Sequence, residues 1–212
     1  LSMGLILGGQ WAYEELGWGG FWAWDPVENA AFMPWLTGTA FLHSVMIQEK
    51  RNMLKIWNVV LIIITYGLTI IGTFLTRSGV VNSVHSFTQS EIGPAFLVFL
   101  AVVLVVGFAL LFRRIQMLES EHKMEAVLCR ENAFLVQNVI FVGMAFTVLL
   151  GTTFPLLAEA IRGTKLSIQA PFFNTIMAPM GYVLFFLMGT GTVLAWRKSS
   201  KESLRRNFQN PM

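Results

Sequence analysis

The sequence predicts an all-α, polytopic membrane protein: a transmembrane helix bundle of five full spans plus one truncated N-terminal helix. Three observations predict it. The 212 residues are 55% hydrophobic and 13% aromatic but only 13% charged, against about 25% charged in soluble domains. Five stretches are apolar over the length, about 20 residues, that a helix needs to cross a bilayer. Twelve of the fifteen Lys and Arg collect in segments that fall on one side of those spans. A soluble domain of this size could not bury so much apolar surface, so an ordinary cytosolic enzyme is excluded, as are a disordered chain and a coiled coil. The lone Cys129 excludes a disulfide framework, a zinc-finger core and a cysteine-ligated iron–sulfur cluster within the chain.

Taken in order, residues 1–12 are apolar but too short to cross, and the chain starts with Leu1 rather than Met. The expectation is a helix whose beginning is absent, in a fragment or one piece of a split protein. Residues 13–26 form an outward loop. Residues 27–112 hold three spans, at about 27–48, 56–75 and 94–112, with an outward loop at 77–93. Residues 113–132 form an inward, amphipathic loop able to support a surface helix. Residues 133–196 hold two more spans, at about 133–158 and 175–196, with an outward loop at 159–174. A basic inward tail, 197–212, ends the chain.

Inside hydrocarbon each backbone polar group must find an internal partner, which a helix supplies. Gly151, Gly189 and Gly191 suit close helix contacts. Orientation follows from charge. Lys50, Arg51 and Lys55, then Arg113, Arg114, Lys123 and Arg130, then the tail, share one side; only Arg77, Arg162 and Lys165 lie opposite. Basic residues favour the cytoplasmic or matrix side. The positive net charge is therefore a topology signal, and no nucleic acid is expected as a partner.

One segment exceeds what spanning requires. Residues 18–35 hold four of the seven tryptophans, Trp18, Trp22, Trp24 and Trp35, and the adjacent pair Gly19 and Gly20. An aromatic belt at the membrane–water boundary accounts for one or two of them. Rigid rings beside glycine on the outer face would also build a flat apolar platform on which a planar aromatic ligand stacks. Asp25, Pro26 and Glu28 carry the pattern of an N-cap, a first helical residue and an N3 acid. Capping is the favoured reading of Asp25 and Glu28, and it is compatible with Asp25 bordering a ligand.

His43 lies about 15 residues into the helix that Asp25 begins, about 22 Å from its outer end. A histidine at such depth is functional by default. The alternatives are a neutral imidazole hydrogen-bonded to a neighbouring helix and an axial ligand to haem iron. His85 lies in the outward loop, on the same face as the tryptophans. Arg77 near that face would pair with a carboxylate-bearing ligand or simply snorkel. His122 receives no role.

The run Trp-Ala-Tyr-Glu-Glu-Leu-Gly-Trp-Gly-Gly-Phe-Trp-Ala-Trp-Asp-Pro-Val-Glu-Asn at 11–29 resembles the "WWD" signature of haem-handling membrane proteins. Phe-Met-Pro-Trp-Leu at 32–36, Leu-His-Ser at 42–44, Gly-Thr-Phe-Leu-Thr-Arg-Ser-Gly-Val at 72–80, Ser-Val-His-Ser-Phe at 83–87 and Pro-Phe-Phe-Asn at 171–174 resemble the CcmF family, the large membrane subunit of the system I cytochrome c haem lyase. The likeness covers essentially the whole chain.

The resemblance implies that Trp18, Gly19, Gly20, Trp22, Trp24 and Asp25 receive haem. It implies that His85 ligates that haem and that His43 is one of two embedded ligands to a permanent haem b. The implied reaction attaches haem vinyl groups to the thiols of a Cys-x-x-Cys-His site on apocytochrome c. The implied partners are the haem carrier CcmE, a CcmH-type subunit that presents apocytochrome c, the remaining part of the lyase chain and the lipid membrane. The implied site is the bacterial inner membrane, platform toward the periplasm, with the mitochondrial inner membrane as the alternative. A haem exporter or carrier-docking subunit without ligation chemistry is the alternative function. Two departures stand out: Phe21 replaces a common Trp, and the partner histidines of His85 and His43 have no counterpart in this sequence.

Overall fold

The computed structural model describes residues 1–15, 20–80, 92–120, 126–163, 166–197 and 199–209. Its elements are α1 (Ser2–Glu15), α2 (Pro26–Arg51), α3 (Lys55–Arg77), α4 (Gly93–Arg113), a short 3-10 helix at Ile115–Leu118, α5 (Arg130–Arg162), α6 (Ala170–Gly191) and α7 (Lys201–Gln209). The helices α2 to α6 are each long and apolar enough to cross a membrane. The protein is an all-α, multi-span bundle.

Helix limits follow local chemistry. Asp25 caps α2: its carboxylate accepts from the Val27 amide at 3.0 Å, and Glu28 reaches back to the Asp25 amide at 3.1 Å, completing a capping box with Pro26 in the first turn. Asp25→Ala is expected to lower stability by about 0.5–2 kcal/mol, read as an earlier thermal transition, while Asp25→Asn keeps most of it. The turn into α3 is tight and uses left-handed Asn52 (φ 52°) and Leu54 (φ 64°). The Cys129 thiol caps α5 by accepting from the Asn132 amide at 3.4 Å, and it is fully buried.

The last span differs from its expected position. It begins at Ala170, not near 175, because Gln169 is extended and Pro171 sits in the first turn. Phe172, Phe173 and Asn174 are therefore helical rather than part of an outward loop. In the segment 113–132, the described residues hold the single 3-10 turn and the start of α5. The basic tail contains α7, which the sequence reading did not anticipate.

Helix α2 is central, packing against α3 on one side and α5 on the other; α4 packs on α3 and α6 on α5. The shared core is Met33, Leu36 and Ala40 from α2, Leu61 and Leu68 from α3, and Phe141, Met144, Ala145 and Val148 from α5. Lipid tails are as apolar as leucine, so close packing rather than water exclusion selects these contacts. At Gly72 an added Cβ would lie 3.2 Å from the Ala30 carbonyl oxygen, which marks the tight α2–α3 crossing. Gly151 and Gly191 do sit against neighbouring side chains as expected, whereas Gly189 faces open space with nothing within 4 Å.

The packing gives the bundle two unlike ends. One carries the tryptophan loop and the start of α2. The other carries Lys50, Arg51, Lys55, Arg113, Arg114 and Arg130. At this basic end Arg51 and Glu131 form a buried ion pair, Nε to Oε1 2.7 Å, that ties α2 to α5.

Candidate functional site at the tryptophan end

The loop before α2 is strapped to three helices. Trp24 holds a left-handed backbone, φ 59°, a conformation that for a bulky residue costs on the order of 1–3 kcal/mol and persists only where its surroundings over-determine it. They do so here. Its indole Nε1 donates to Asn174 Oδ1 at 2.8 Å, its ring stacks on Phe173 (centroids 4.9 Å, 12°), and its carbonyl accepts from Asn29 Nδ2 at 3.1 Å. The same Asn29 amide donates to Thr152 Oγ1 at 3.0 Å. Glu28 accepts from the Ala23 amide at 2.9 Å. The loop is thus fixed to α2, α5 and α6 together.

On one side of Trp24 lies an apolar groove of about 760 Å³ between α1 and α2. Its walls are Leu5, Ile6, Gly9 and Tyr13 of α1, Phe21, Trp22 and Trp24 of the loop, and Phe32 and Trp35 of α2. The volume falls within the ~300–1,000 Å³ usual for small-molecule and cofactor sites. The rings do not form one plane. Trp22 stands at 88° to Trp24 and 66° to Phe32, whereas Phe32 and Trp35 stack at 15° and Tyr13 and Phe21 at 8°. Polar groups sit at the rim: Gln10 donates to Glu14 at 2.8 Å, and Trp35 Nε1 donates to Ser2 Oγ at 2.9 Å. The buried Trp22 Nε1 has no hydrogen-bond partner among the described residues.

On the other side of Trp24 is a second cavity of about 500 Å³, polar in character, with Asn29, Thr152, Glu159 and Ser167 in its wall.

Of the residues expected at the site, Trp22 and Trp24 line the groove. Asp25 is occupied in the helix cap and lines neither cavity. An added Cβ at Gly20 would meet nothing within 4 Å. Arg77 closes α3 at this end, exposed, and also lines neither cavity. Trp18, Gly19 and His85 lie outside the described residues.

His43 stands apart from the groove, eight residues beyond Trp35 on α2 and so about 12 Å further along the axis. Its ring lies flat on Phe134 (5.4 Å, 6°) and leans on Phe141 (5.8 Å, 45°), both of α5. Its Nδ1 is buried without a hydrogen-bond partner among the described residues. No three His, Cys, Asp or Glu side chains among the described residues converge as a bare-metal site.

Sequence reasoning missed Tyr13, Phe32 and Trp35 as groove lining. The spacing of Phe32 and Trp35, one turn apart on the helix that Asp25 begins, carried that signal.

Residues 1–81 match the family of Cytochrome C assembly proteins. The chain is 46% identical to the cytochrome c-type biogenesis protein CycK of Rhizobium meliloti over 93% of its own length and 29% of the relative's. It is 40% identical to the cytochrome c-type biogenesis protein CcmF of Escherichia coli over 97% of its length and 32% of that protein. A solved structure, the cytochrome c heme lyase CcmF, superimposes with a TM-score of 0.75 at 41% identity, covering 97% of this chain and 30% of that one. The chain is similar to CcmF proteins over nearly its whole length. It spans about a third of the length of these relatives. The residues matched by the assembly family include the tryptophan loop and His43.

Proposed function

We propose that this chain is a CcmF-family protein and forms the haem-receiving part of a cytochrome c haem lyase. The observation that carries the reading is the aromatic groove, held open by a tryptophan loop that three helices fix in place. A porphyrin is planar, apolar and edged by two carboxylates. The stacked pairs Phe32–Trp35 and Tyr13–Phe21 offer flat faces to such a ring, and Arg77 stands at the same end for a propionate. His85 would supply an axial nitrogen to the substrate haem.

The chain's own residues bind, orient and dehydrate. Trp22 and Trp24 exclude water from the groove, and Asn174, Asn29 and Phe173 hold Trp24 in its left-handed conformation. Orientation of this kind is the main service a protein gives to cofactor chemistry. The substrate haem would arrive on CcmE, and apocytochrome c would be presented by a CcmH-type subunit. Each cysteine S–H would add across a haem vinyl C=C to give a thioether. The remaining part of the lyase chain would complete both ligand sets.

His43, whose buried Nδ1 has no hydrogen-bond partner among the described residues and whose ring packs flat on Phe134, would hold a resident haem b through an imidazole nitrogen. The chemistry that group supplies is one-electron transfer. Placement in a bacterial inner membrane with the groove toward the periplasm accords with the basic residues at the opposite end.

The test is reconstitution of the complete lyase with Phe21→Ala and Trp22→Ala together. Haem loading and thioether product should both fall sharply while the b-type spectrum persists. Unchanged product would reject the groove. Wild-type loading with no covalent product would instead favour an exporter or carrier-docking role. Separately, His43→Ala should abolish the b-type absorbance and leave outer loading intact; survival of that absorbance would reject the axial role.

A further inference from the structure

Charge in the wall of the aromatic groove is of one sign only. Glu14 of α1 lines it, and none of the described lining residues is Lys, Arg or His. The polar groups are also unevenly placed along its length. At the inner end Ser2 meets Trp35, about 14 Å along α2 from the outer end of that helix. At the outer end Gln10 Nε2 donates to Glu14 Oε1 at 2.8 Å from one turn back on α1, which holds the carboxylate in place. Glu15 follows on the same exposed helix end. Tyr13, beside Glu14, stacks on Phe21, so the acidic rim adjoins the loop wall directly.

On the reading that the groove receives haem, this pattern decides which way round the ring enters. Haem carries two carboxylates on one edge and its two vinyl groups on the part of the ring away from them. The carboxylates are kept from the inner end, because burying an unpaired charge among apolar side chains costs far more than ring stacking returns. They stay at the outer boundary, where two directions are open. Toward α1 they meet Glu14, with no cation in the lining to offset it. Away from α1 they meet water and the end of α3, which Arg77 closes. Among the described residues α1 packs on α2 and not on α3. Stacking on Phe32–Trp35 and Tyr13–Phe21 does not sense which edge is which. A modest repulsion between like charges therefore sets the orientation.

We infer that Glu14 is a specificity-determining residue of the groove: it turns the carboxylate edge of a porphyrin away from α1 and leaves the vinyl-bearing part on the α1 side, open to an incoming thiol. Gln10 is a positioning residue that fixes the Glu14 carboxylate at the rim. An acid elsewhere on α1 would be an ordinary solvated charge. Glu14 differs in lining the groove and in being bonded there.

The test uses the complete lyase in lipid nanodiscs with two probes, metal-free protoporphyrin IX and its dimethyl ester, titrated by quenching of tryptophan fluorescence. Without iron, no axial histidine contributes to the affinity. The quantity read is the ester-to-acid affinity ratio of each variant relative to the unaltered chain, in which partition of the probes into lipid cancels. Glu14→Gln keeps an acceptor for Gln10 and removes the charge. It should lower the ratio several-fold by tightening the acid alone, and the effect should fade as salt approaches roughly 1 M. Glu14→Lys should lower the ratio further. With haem it should load at least as tightly as the unaltered chain yet yield several-fold less thioether, because the carboxylate edge now faces α1. Porphyrin bound with an unchanged ratio in both variants would overturn the role of Glu14 and leave the groove standing. Tight haem loading with undiminished thioether in Glu14→Lys would overturn the orientation. Porphyrin binding that Phe21→Ala with Trp22→Ala leaves untouched would instead reject the groove itself.

Discussion

Glu131→Ala is expected to destabilise the protein more than any other single truncation at the basic end, by about 3–5 kcal/mol. The carboxylate is fully buried and stands 2.7 Å from Arg51 Nε, itself nearly buried. Removing it takes the neutralising carboxylate from a buried guanidinium, and the loss is dominated by that missing ion-pair partner. The midpoint of thermal unfolding in detergent should drop on the order of 10 °C. The decisive control is the double variant Arg51→Met with Glu131→Met. Replacing both charges with apolar side chains of similar volume removes the buried cation together with its carboxylate, so most of the stability should return. A double variant as unstable as the single one would show that the pair acts through something other than mutual neutralisation. The pair also sits where α2 ends and α5 begins, and both helices carry site residues, so its loss should loosen His43 packing as well.

Much of this architecture was legible because the bilayer imposes a simple rule. Backbone groups must be paired inside the segment, so each span is a long apolar helix, and the five spans stand out in composition alone. The Asp25–Pro26–Glu28 pattern located the start of α2 to the residue, because a capping box is a local device whose partners lie within three positions. The start of α6 was less legible. Hydropathy places a span by its apolar centre, while Pro171 and the extended Gln169 set where the helix begins.

The groove was only half legible. Trp22 and Trp24 drew notice by their density, but the opposing wall, from Tyr13 to Trp35, depends on how α1 packs against α2, which no local pattern encodes. Trp24 is the clearest case. Composition marks it as one more flat ring, yet one of its faces is covered by Phe173, and its backbone carbonyl and indole N–H are both engaged. Its place between the two cavities and its bonds to α2 and α6 make it a strut that positions the loop. The ion pair escaped notice for the opposite reason: Arg51 and Glu131 look like loop charges in sequence, and only the α2–α5 contact buries them.

Gly151→Ala should strongly reduce loading of the groove, although Gly151 lies outside its lining. Taken as a helix substitution it should be favourable, since alanine exceeds glycine by roughly 0.5–1 kcal/mol in a helix interior. The surroundings reverse the sign. A Cβ at this position would lie 2.5 Å from Phe173 Cε1 and 2.6 Å from its Cζ. Phe173 has little freedom to yield, being almost fully buried, with Phe172 edge-on at 5.3 Å and Trp24 stacked on it at 4.9 Å. Overpacking of this kind costs about 1–3 kcal/mol, which outweighs the propensity gain. The displaced ring must push on Trp24, the residue that walls the groove and already holds a strained backbone. Loading of the groove in the reconstituted lyase should fall about tenfold for each 1.4 kcal/mol of lost positioning. Gly189→Ala provides the contrast: nothing lies within 4 Å of its added Cβ, so the same exchange on α6 should be neutral or slightly stabilising and leave loading intact. Adding Phe173→Leu to Gly151→Ala makes room for the new methyl but removes the stacking face. It should therefore restore thermal stability without restoring loading. If the double variant loads normally, Phe173 serves only to fill space, and Trp24 needs no stacking partner to hold the groove in shape.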